Sequence, residues 1–465
     1  MKRAITIFVL FMSSILLYGQ QQQGREMITV TGDSLAGKLV GGESIREVIG
    51  HVVLRQGNIV ITCRKATQYL AKNNAILEGN VVVRQDTLTI EAEKGFYYGN
   101  DRIAECKTGV KLNDGKVILT AVNGDYYFNG QRAYFSDSVK LYDTVSTMTC
   151  RVLNYYKNEN RAVATGSVTI FDSVNTIKAD SMTYLRTQRT TIADKNVEVS
   201  NSKSNVTVYG NHLEDYALKK YTLITEKPLL VQVDTTSEGK KDTLIISSLK
   251  MESYNDTSRK FIATDSVRIL RGSFASRNNY SIYYRSEEKI ITYKRPGESN
   301  VPVLWYENTQ LSGDSLNIFT RKNRLRKVEV FNNCFILSHN AGYNTRYDQI
   351  SGDQMTIYFD STGISYTDVD GNVLSIYYMY DKGEPNGLTK SSAQKAKIFF
   401  SNKQVSEVRM YVSPISEYYP ENLVENNELS YTLPAFFIQK GRPEKESLLK
   451  KESLLKGSSE PEKQL

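Results

Sequence analysis

A valine recurs at an exact spacing of 29 residues through the first part of this 465-residue chain. The six positions are Val52, Val81, Val110, Val139, Val168 and Val197. A fixed period of this length is typical of stacked repeat architectures, in which each unit packs on its neighbours. The period overrides the expectation of about three ordinary domains that length alone would give. It also directs the search for function to a long repeated surface rather than to one catalytic pocket.

Within each repeat, apolar residues alternate with polar ones on both sides of a short polar turn. This alternation predicts hairpins in which one face of each strand is apolar. No helical periodicity of useful length is present, so the pattern predicts an all-β fold of stacked antiparallel strands. The residues predicted to face inward are Val52, Leu54, Ile59, Ile61, Val81, Val83, Leu88, Ile90, Val110, Leu112, Val117, Leu119, Val139, Leu141, Val168, Ile170 and Ile177.

Other columns repeat with the same period. The position 11 residues after each valine is small, which predicts a corner or a close approach of two walls: Cys63, Ala92, Ala121, Cys150 and Ala179, with Val208 as the exception. A tyrosine column favours cross-strand packing over an aromatic platform for sugars or bases; it contains Tyr69, Tyr98, Tyr127 and Tyr156. The period loosens after Val208, and later anchors are predicted at Leu229, Val267, Val303, Phe335 and Val373.

The first residues have the layout of a secretory signal peptide. Lys2 and Arg3 precede an uncharged apolar run over residues 4–17, and cleavage is predicted near Gly19 or Gln20. A membrane anchor is the alternative, but the run is short for a span of about 20 residues. Because no cysteine follows the run, a lipid-modified N-terminal cysteine is not expected.

The predicted organisation has four parts. Residues 1–20 form the signal peptide, residues 21–226 and 227–412 form two repeat regions, and residues 413–465 form a C-terminal segment with a charged tail. The tail contains KESLLK twice, which suits either a short helix or, as its composition favours, disorder. Without Lys2 and Arg3, 57 basic residues face 51 acidic ones, giving about +6. That excess mildly favours acidic partners and is also compatible with ordinary solvated surface.

Catalytic and metal chemistry find little support in the sequence. Gly32-Asp33-Ser34-Leu35 and its later copy at residues 313–316 spell the nucleophile motif of lipase-like hydrolases, which need a histidine beside the serine. The three histidines lie in no matching context, and the later copy belongs to a repeated structural unit. We therefore predict no enzyme activity, no metal site and no cofactor. The four cysteines are expected to be small buried residues rather than disulfides.

Nucleic-acid binding is not predicted, because no dense basic cluster interrupts the repeats. The apolar lining remains as the candidate functional feature. If two β walls close on each other, this lining is a protein core. If the walls splay apart, it is a groove that buries acyl chains at about 0.8 kcal/mol per methylene.

The recurring units resemble the OstA-like (organic-solvent-tolerance, LptA-like) family of lipopolysaccharide transport proteins. The similarity rests on residues 79–92, with their Gly-Asn-Val start, and on residues 166–184. The segment from Pro302 to Leu316 resembles the long variants found in Bacteroidota. The resemblance covers roughly residues 28–412.

This resemblance implies an elongated, open β-jellyroll whose interior holds the acyl chains of lipopolysaccharide on the way to the outer membrane. It implies a periplasmic location, possible outer-membrane association, and end-to-end pairing with other Lpt-type β-jellyroll proteins through edge strands. An outer-membrane translocon is a further candidate partner. The chain is much longer than the short periplasmic bridge proteins of the family, so bridge and accessory roles both remain open. A structural or assembly scaffold that binds no lipid is the alternative function.

Overall fold

The computed structural model describes residues 26–235, 239, 241–321, 324–340, 342–361, 363–401 and 404–456. The predicted signal peptide lies outside these residues. Strand accounts for 70% of the structure, and the strand pairings are antiparallel. The prediction of an all-β fold built from stacked antiparallel strands is confirmed.

The strands of the first half are long and follow one another through short turns. They are β1 (Thr29–Thr31), β2 (Ser34–Val40), β3 (Glu43–Gln56), β4 (Ile59–Tyr69), β5 (Asn74–Gln85), β6 (Leu88–Tyr98), β7 (Ile103–Asn113), β8 (Ile118–Ala121), β9 (Asn123–Tyr127), β10 (Arg132–Tyr142), β11 (Thr147–Tyr156), β12 (Arg161–Phe171), β13 (Asn175–Leu185), β14 (Thr190–Asn201) and β15 (Val206–Tyr216).

The second half contains shorter strands, then long ones, then a C-terminal segment with two helices. Its elements are β16 (Tyr221–Thr225), β17 (Leu229–Thr235), β18 (Lys241–Ser247), β19 (Lys250–Tyr254), β20 (Lys260–Arg271), β21 (Phe274–Tyr284), β22 (Lys289–Tyr293), β23 (Val303–Tyr306), β24 (Thr309–Ser312), β25 (Ser315–Arg321), β26 (Arg324–His339), β27 (Tyr347–Phe359), β28 (Ile364–Asp381), β29 (Glu384–Ser401), β30 (Gln404–Tyr411), β31 (Ile415–Tyr419), α1 (Glu421–Val424) and α2 (Lys445–Lys456).

The chain divides into two compact units. The first contains residues up to 115 together with 123–130, and the second contains residues 116–122 together with those from 131 onward. The predicted boundary between residues 226 and 227 does not coincide with this division and stays a prediction. The duplicated KESLLK segment forms the helix α2, so this part of the tail follows the helical one of the two predicted alternatives. Residues 457–465 lie outside the described structure.

A corner in the middle of each long strand explains the valine ladder. In β5, Gly79 and Asn80 both adopt positive φ, and they interrupt the pairing with β6 immediately before Val81. These two residues of β5 oppose the single Glu93 of β6, which is the definition of a β-bulge. The bulge bends the strand and divides it into two wall segments. Equivalent pairs of positive-φ residues directly precede the other five ladder valines: Gly50-His51, Thr108-Gly109, Asp137-Ser138, Gly166-Ser167 and Lys195-Asn196.

The small-residue column lies at the same corner. Val81 pairs with Ala92 and Val168 pairs with Ala179, so a small side chain lies beside each bend. In β15 the position is taken by Gly210, which pairs with Val197, because the preceding turn shifts the register by two residues. Val208 therefore does not belong to this column, and the residue at the corner of β15 is small. All four cysteines are free and buried, as the sequence predicts.

The aspartate of the hydrolase-like motif lies at the corner. The carboxylate of Asp33 lies 2.8 Å from Nδ1 of His51, the second residue of the first corner. In the later copy, the side-chain amide of Asn333 donates to Asp314 at 3.0 Å from the equivalent corner position. The same contact joins Asn372 to Asp353, where no serine follows the aspartate. The aspartate of the motif thus holds the bend by a local side-chain hydrogen bond.

Two of the five later anchors are confirmed, and three are wrong. Val267 and Val373 belong to the main apolar core of the second unit. Leu229, Val303 and Phe335 pack instead on the opposite face of their strands, and residues next to them in sequence hold the interior positions: Leu230, Leu304 and Ile336. A one-residue error in strand register exchanges the two faces, and the insertions that interrupt the period cause it here.

The C-terminal segment covers this opposite face of the second unit. Leu448 of α2 is fully buried against Leu229 and Ile245, and Val424 of α1 packs in the cluster that contains Phe335. Two of the three misassigned residues, Leu229 and Phe335, are therefore buried by the segment that follows the repeats in sequence.

A test of the corner geometry is to add one methyl group beside it. A Cβ at Gly352 would lie 2.5 Å from Cγ1 of Val369, so Gly352→Ala is expected to lower the free energy of unfolding by about 1–3 kcal/mol through overpacking. Gly37→Ala is the matched control, because a Cβ at Gly37 has no neighbour within 4 Å. Urea denaturation of both variants measures the difference, and equal midpoints would contradict the tight corner.

Candidate functional site

The second unit contains a cavity of about 1050 Å³ between its two β walls. Apolar side chains form much of its interior: Leu141, Met148, Ile170, Ile177, Val199, Val206, Val208, Leu213, Ile224, Leu230, Leu244, Ile246, Met251 and Phe261. The volume is at the upper end of the range for small-molecule sites, which are also mainly apolar. The walls are therefore not in full contact over this part of the unit.

Two rows of hairpin turns contribute to the cavity rim. One row contains Asp143, Asp172 and Asn201, which follow a 29-residue spacing, and the other contains Arg186 and Arg189. The rows are bridged near Asp143, where the hydroxyl of Tyr184 donates to its carboxylate at 3.3 Å. Polar groups thus surround an apolar interior.

A change in one column of side chains explains where the space opens. Tyr97, Tyr126 and Tyr155 occupy successive equivalent positions near the strand ends, and all three are buried. Tyr184 continues the column, but the next equivalent position is Asp215, since both residues pair with Thr191 of β14. Thr222 and Ser253 then follow across the paired strands. Small polar side chains therefore replace the large rings that fill the space between the walls.

In the first unit, polar contacts bridge the ends of the two walls. The side-chain amide of Gln56 donates to the carbonyl of Gly99 at 2.8 Å, and the hydroxyl of Tyr97 donates to the Gln56 side-chain oxygen. Tyr126 and Phe128 fill the adjoining interior with an edge-to-face contact at a centroid distance of 4.9 Å. This unit has a packed core at the level of these residues.

The structure separates the predicted inward-facing residues into two groups. Ile170 and Ile177 are half-buried and line the cavity, together with the buried Leu141. The other predicted residues are buried, with at most 5% of their surface exposed. Their inward orientation agrees with the pattern, but contact with a ligand is tested for none of the seventeen and stays a prediction.

Comparison with known proteins assigns the first part of the chain to a family. Residues 27–137 match the sequence profile of the OstA-like protein family. Residues 27–137 are OstA-like. The resemblance found in the repeats is thereby confirmed.

The chain also matches a crystal structure of LptH, the LptA-homologous periplasmic component of the conserved lipopolysaccharide transport device from Pseudomonas aeruginosa. The identity is 13%, the match covers 38% of this chain and 95% of the LptH chain, and the TM-score is 0.16. A TM-score this low supports no conclusion about function. No curated protein matches the chain.

Most of the cavity lies outside the region that matches the OstA-like family. Apart from Lys116, its lining residues run from Leu141 to Arg285, whereas the match ends at residue 137. The packed first unit and the matched region coincide closely in sequence.

The carboxylates that line the cavity have donors of their own. Asp172 accepts hydrogen bonds from the backbone N–H groups of Val174 and Asn175, both at 2.7 Å. Asp215 accepts from the hydroxyl of Thr222 at 2.7 Å, while burial raises the pKa of its carboxyl group. The negative groups of the lining are thus largely satisfied within the protein.

The sequence analysis missed the tyrosine column that fills the space between the walls. The tyrosine column singled out from the sequence lies one residue away from Tyr97 and its equivalents, on the other face of the strand. Tyr69 and Tyr98 from the predicted column are half-buried at strand ends, where Tyr98 hydrogen-bonds to Glu105 at 2.9 Å. The exact 29-residue recurrence of Tyr97, Tyr126, Tyr155 and Tyr184 was the available signal.

The described residues contain neither a helix suited to cross a membrane nor a metal-binding cluster. None of their helices combines the length and apolar character needed to cross a membrane. Within the same residues, no group of three or more histidine, cysteine or acidic side chains is arranged to hold a metal ion.

Thiol labelling tests whether the cavity admits small molecules. Ile177→Cys is expected to react with a small neutral maleimide about tenfold faster than Ile90→Cys, because the buried site reacts only through local opening. The native cysteines give little background, since burial raises the pKa of Cys63 to about 11 and that of Cys150 to about 12. Mass spectrometry of the labelled protein measures the rates. Equal rates at positions 177 and 90 would contradict an accessible cavity.

Proposed function

We propose that this OstA-like chain is a periplasmic protein of lipopolysaccharide transport, and that it holds acyl chains in the cavity of its second unit. The observation that supports the proposal is an apolar interior of about 1050 Å³ with a polar rim, in a chain whose residues 27–137 match the OstA-like family. The cavity extends the role that the repeats suggest, because its walls use the same apolar columns.

Burial of hydrocarbon supplies the binding free energy in this proposal. Each methylene removed from water contributes about 0.8 kcal/mol, so a chain of several methylenes binds without directional contacts. Side chains such as Ile177, Leu213 and Met251 offer apolar surface from different strands of the cavity. A lining of this kind accommodates acyl chains that differ in length, since dispersion and burial depend little on exact position.

The first unit has a different part in the proposal. Every residue of β2 is exposed, including Leu35 and Leu39, and among the described strands β2 pairs with β3. An exposed edge strand is a template for pairing with another β protein. We assign this edge to contact with another Lpt-type β-jellyroll, by β-strand addition. An outer-membrane translocon is the candidate partner farther along the same route.

A scaffold that binds no lipid is the second candidate, and the packed core of the first unit favours it. Predicted lining residues such as Val52 and Leu112 have at most 1% of their surface exposed, so they offer no surface to a ligand without separation of the walls. Native mass spectrometry of gently purified protein distinguishes the candidates. The transport proposal expects bound lipid, whereas the scaffold expects none.

Photo-crosslinking in cells tests where lipid binds. A benzoylphenylalanine in place of Ile177 is expected to capture lipopolysaccharide, because this side chain lines the cavity. The same residue in place of Lys178 is the control, since Lys178 is exposed and its ammonium pairs with Glu198 at 3.0 Å. Immunoblotting for lipopolysaccharide reads out both. Capture at position 178 but not at position 177 would refute binding in the cavity.

Extending the tyrosine column tests the role of the opening. Asp215→Tyr places a ring at the position equivalent to Tyr184, and we expect at least a severalfold loss of co-purified lipid because the ring occupies space between the walls. Asp381→Tyr, at an exposed position elsewhere in the unit, is the control and should retain the lipid of the parent protein. Quantitative lipid mass spectrometry measures both. Unchanged lipid in Asp215→Tyr would place the binding elsewhere.

A further inference from the structure

Three arginines at the cavity have no carboxylate partner. Arg186, Arg189 and Arg285 all line the cavity, and within the described residues none of them forms an ion pair with a carboxylate. The Arg186 guanidinium donates to the backbone carbonyl of Lys116 at 3.4 Å. The charges of these three arginines are therefore not neutralised by a direct ion pair.

Arg285 has the most confined position of the three. It directly follows β21 and is half-buried, and its two terminal nitrogens donate to neutral acceptors. Nη1 donates to the Asn255 side-chain oxygen at 2.9 Å, and Nη2 donates to the Ser253 hydroxyl at 2.5 Å. Both partners also line the cavity. The contacts fix the guanidinium at the rim and leave its charge without a counterion.

A second arginine lies close to this group. The backbone N–H of Arg285 donates to the carbonyl of Arg259 at 3.3 Å, so the two residues occupy neighbouring turns. Burial, and then repulsion from the charge of Arg259, lower the pKa of Arg285. Arg285 is partly buried and Arg259 is exposed, and an anion beside both side chains would offset the repulsion between the two like charges.

The nearest carboxylates in the lining do not supply that anion. Glu252 accepts from the hydroxyl of Tyr221 at 2.9 Å and pairs with the ammonium of Lys250 at 3.1 Å. Asp215 is hydrogen-bonded to Thr222. Glu252 lies on the same strand as Ser253, and Asp215 lies two strands away, yet neither carboxylate is within ion-pair distance of the Arg285 guanidinium.

We propose that Arg285, with Arg259, Ser253 and Asn255, binds the phosphate head group of an amphiphile whose hydrocarbon chain lies in the cavity. The inference rests on the proposed function, since it adds a head-group contact to the same cavity. A guanidinium presents two parallel N–H donors to phosphate oxygens, and such charge-assisted hydrogen bonds are short and strong. The Ser253 hydroxyl and the Asn255 amide offer further donors at the same rim.

The experiment compares three probes with the purified full chain. Dodecyl phosphate and dodecyl maltoside share a hydrocarbon chain and differ in head group, while inorganic phosphate has no chain. Isothermal titration calorimetry is expected to give dodecyl phosphate about tenfold tighter binding than dodecyl maltoside, the size expected of one charge-assisted contact. Inorganic phosphate alone is expected to bind too weakly to be detected, because the chain supplies most of the free energy.

Arg285→Gln removes the charge and keeps a hydrogen-bonding side chain. The expected result is about a tenfold loss of affinity for dodecyl phosphate with unchanged affinity for dodecyl maltoside. Arg409→Gln, whose arginine is exposed and paired with Glu407, is the control and should change neither affinity. If Arg285→Gln does not fold, salt dependence of the parent protein replaces it, and added salt should weaken dodecyl phosphate binding alone.

The outcomes separate this inference from the proposed function. Equal affinities for the two dodecyl compounds, unchanged by Arg285→Gln, would overturn the phosphate site and leave the apolar cavity intact. Failure of both dodecyl compounds to bind would overturn the proposed function together with it. Inorganic phosphate that binds as tightly as dodecyl phosphate would overturn the amphiphile and identify a site for the free anion.

Discussion

The two-residue corner is the constraint on which the rest of the fold depends. A strand of eleven or twelve residues cannot contribute to two facing walls unless it bends, and the bulge with two positive-φ residues provides the bend. A small side chain must lie beside the corner, and an aspartate or its equivalent often holds it by a hydrogen bond, as Asp353 does with Asn372. Repetition of this unit aligns the corners and places an apolar side chain just inside each one. The interior between the walls is a consequence of that alignment.

What fills this interior differs between the two units. In the first, Tyr97, Tyr126 and Phe128 pack between the walls, and Gln56 joins their ends. In the second, Asp215 and Ser253 stand at positions of the same column and leave a cavity. The strands and corners are alike, so a few side chains near the strand ends determine whether the same backbone plan encloses a core or a binding space. Electrostatics then distinguishes the rim, where the partly buried Arg285 has neutral hydrogen-bond partners and no carboxylate within ion-pair distance.

The sequence was sufficient for the fold because the hydrophobic period and the turn residues agree with each other. The ladder valines and the small column identify the strands, their inward faces and the corners. Where insertions shift the register, the period no longer predicts which face of a strand is inward. Leu229, Val303 and Phe335 were therefore placed on the wrong face. The cavity could not be located from the apolar columns, since Ile90 and Ile177 look equivalent in sequence and differ in exposure because of side chains elsewhere. Arg285 carries no sequence signal, because its neighbours come from separate hairpins.

The tyrosine column suggests how a cavity of this kind changes during evolution. Its length along the stack is controlled by one side chain per repeat, as the replacement of a ring by Asp215 illustrates. A substitution at that position adds or removes one repeat's share of volume while the backbone, the corners and the strand pairing stay the same. The capacity for a ligand can therefore vary in steps by point mutation, without insertion or deletion, and relatives with the same number of repeats need not hold ligands of the same size.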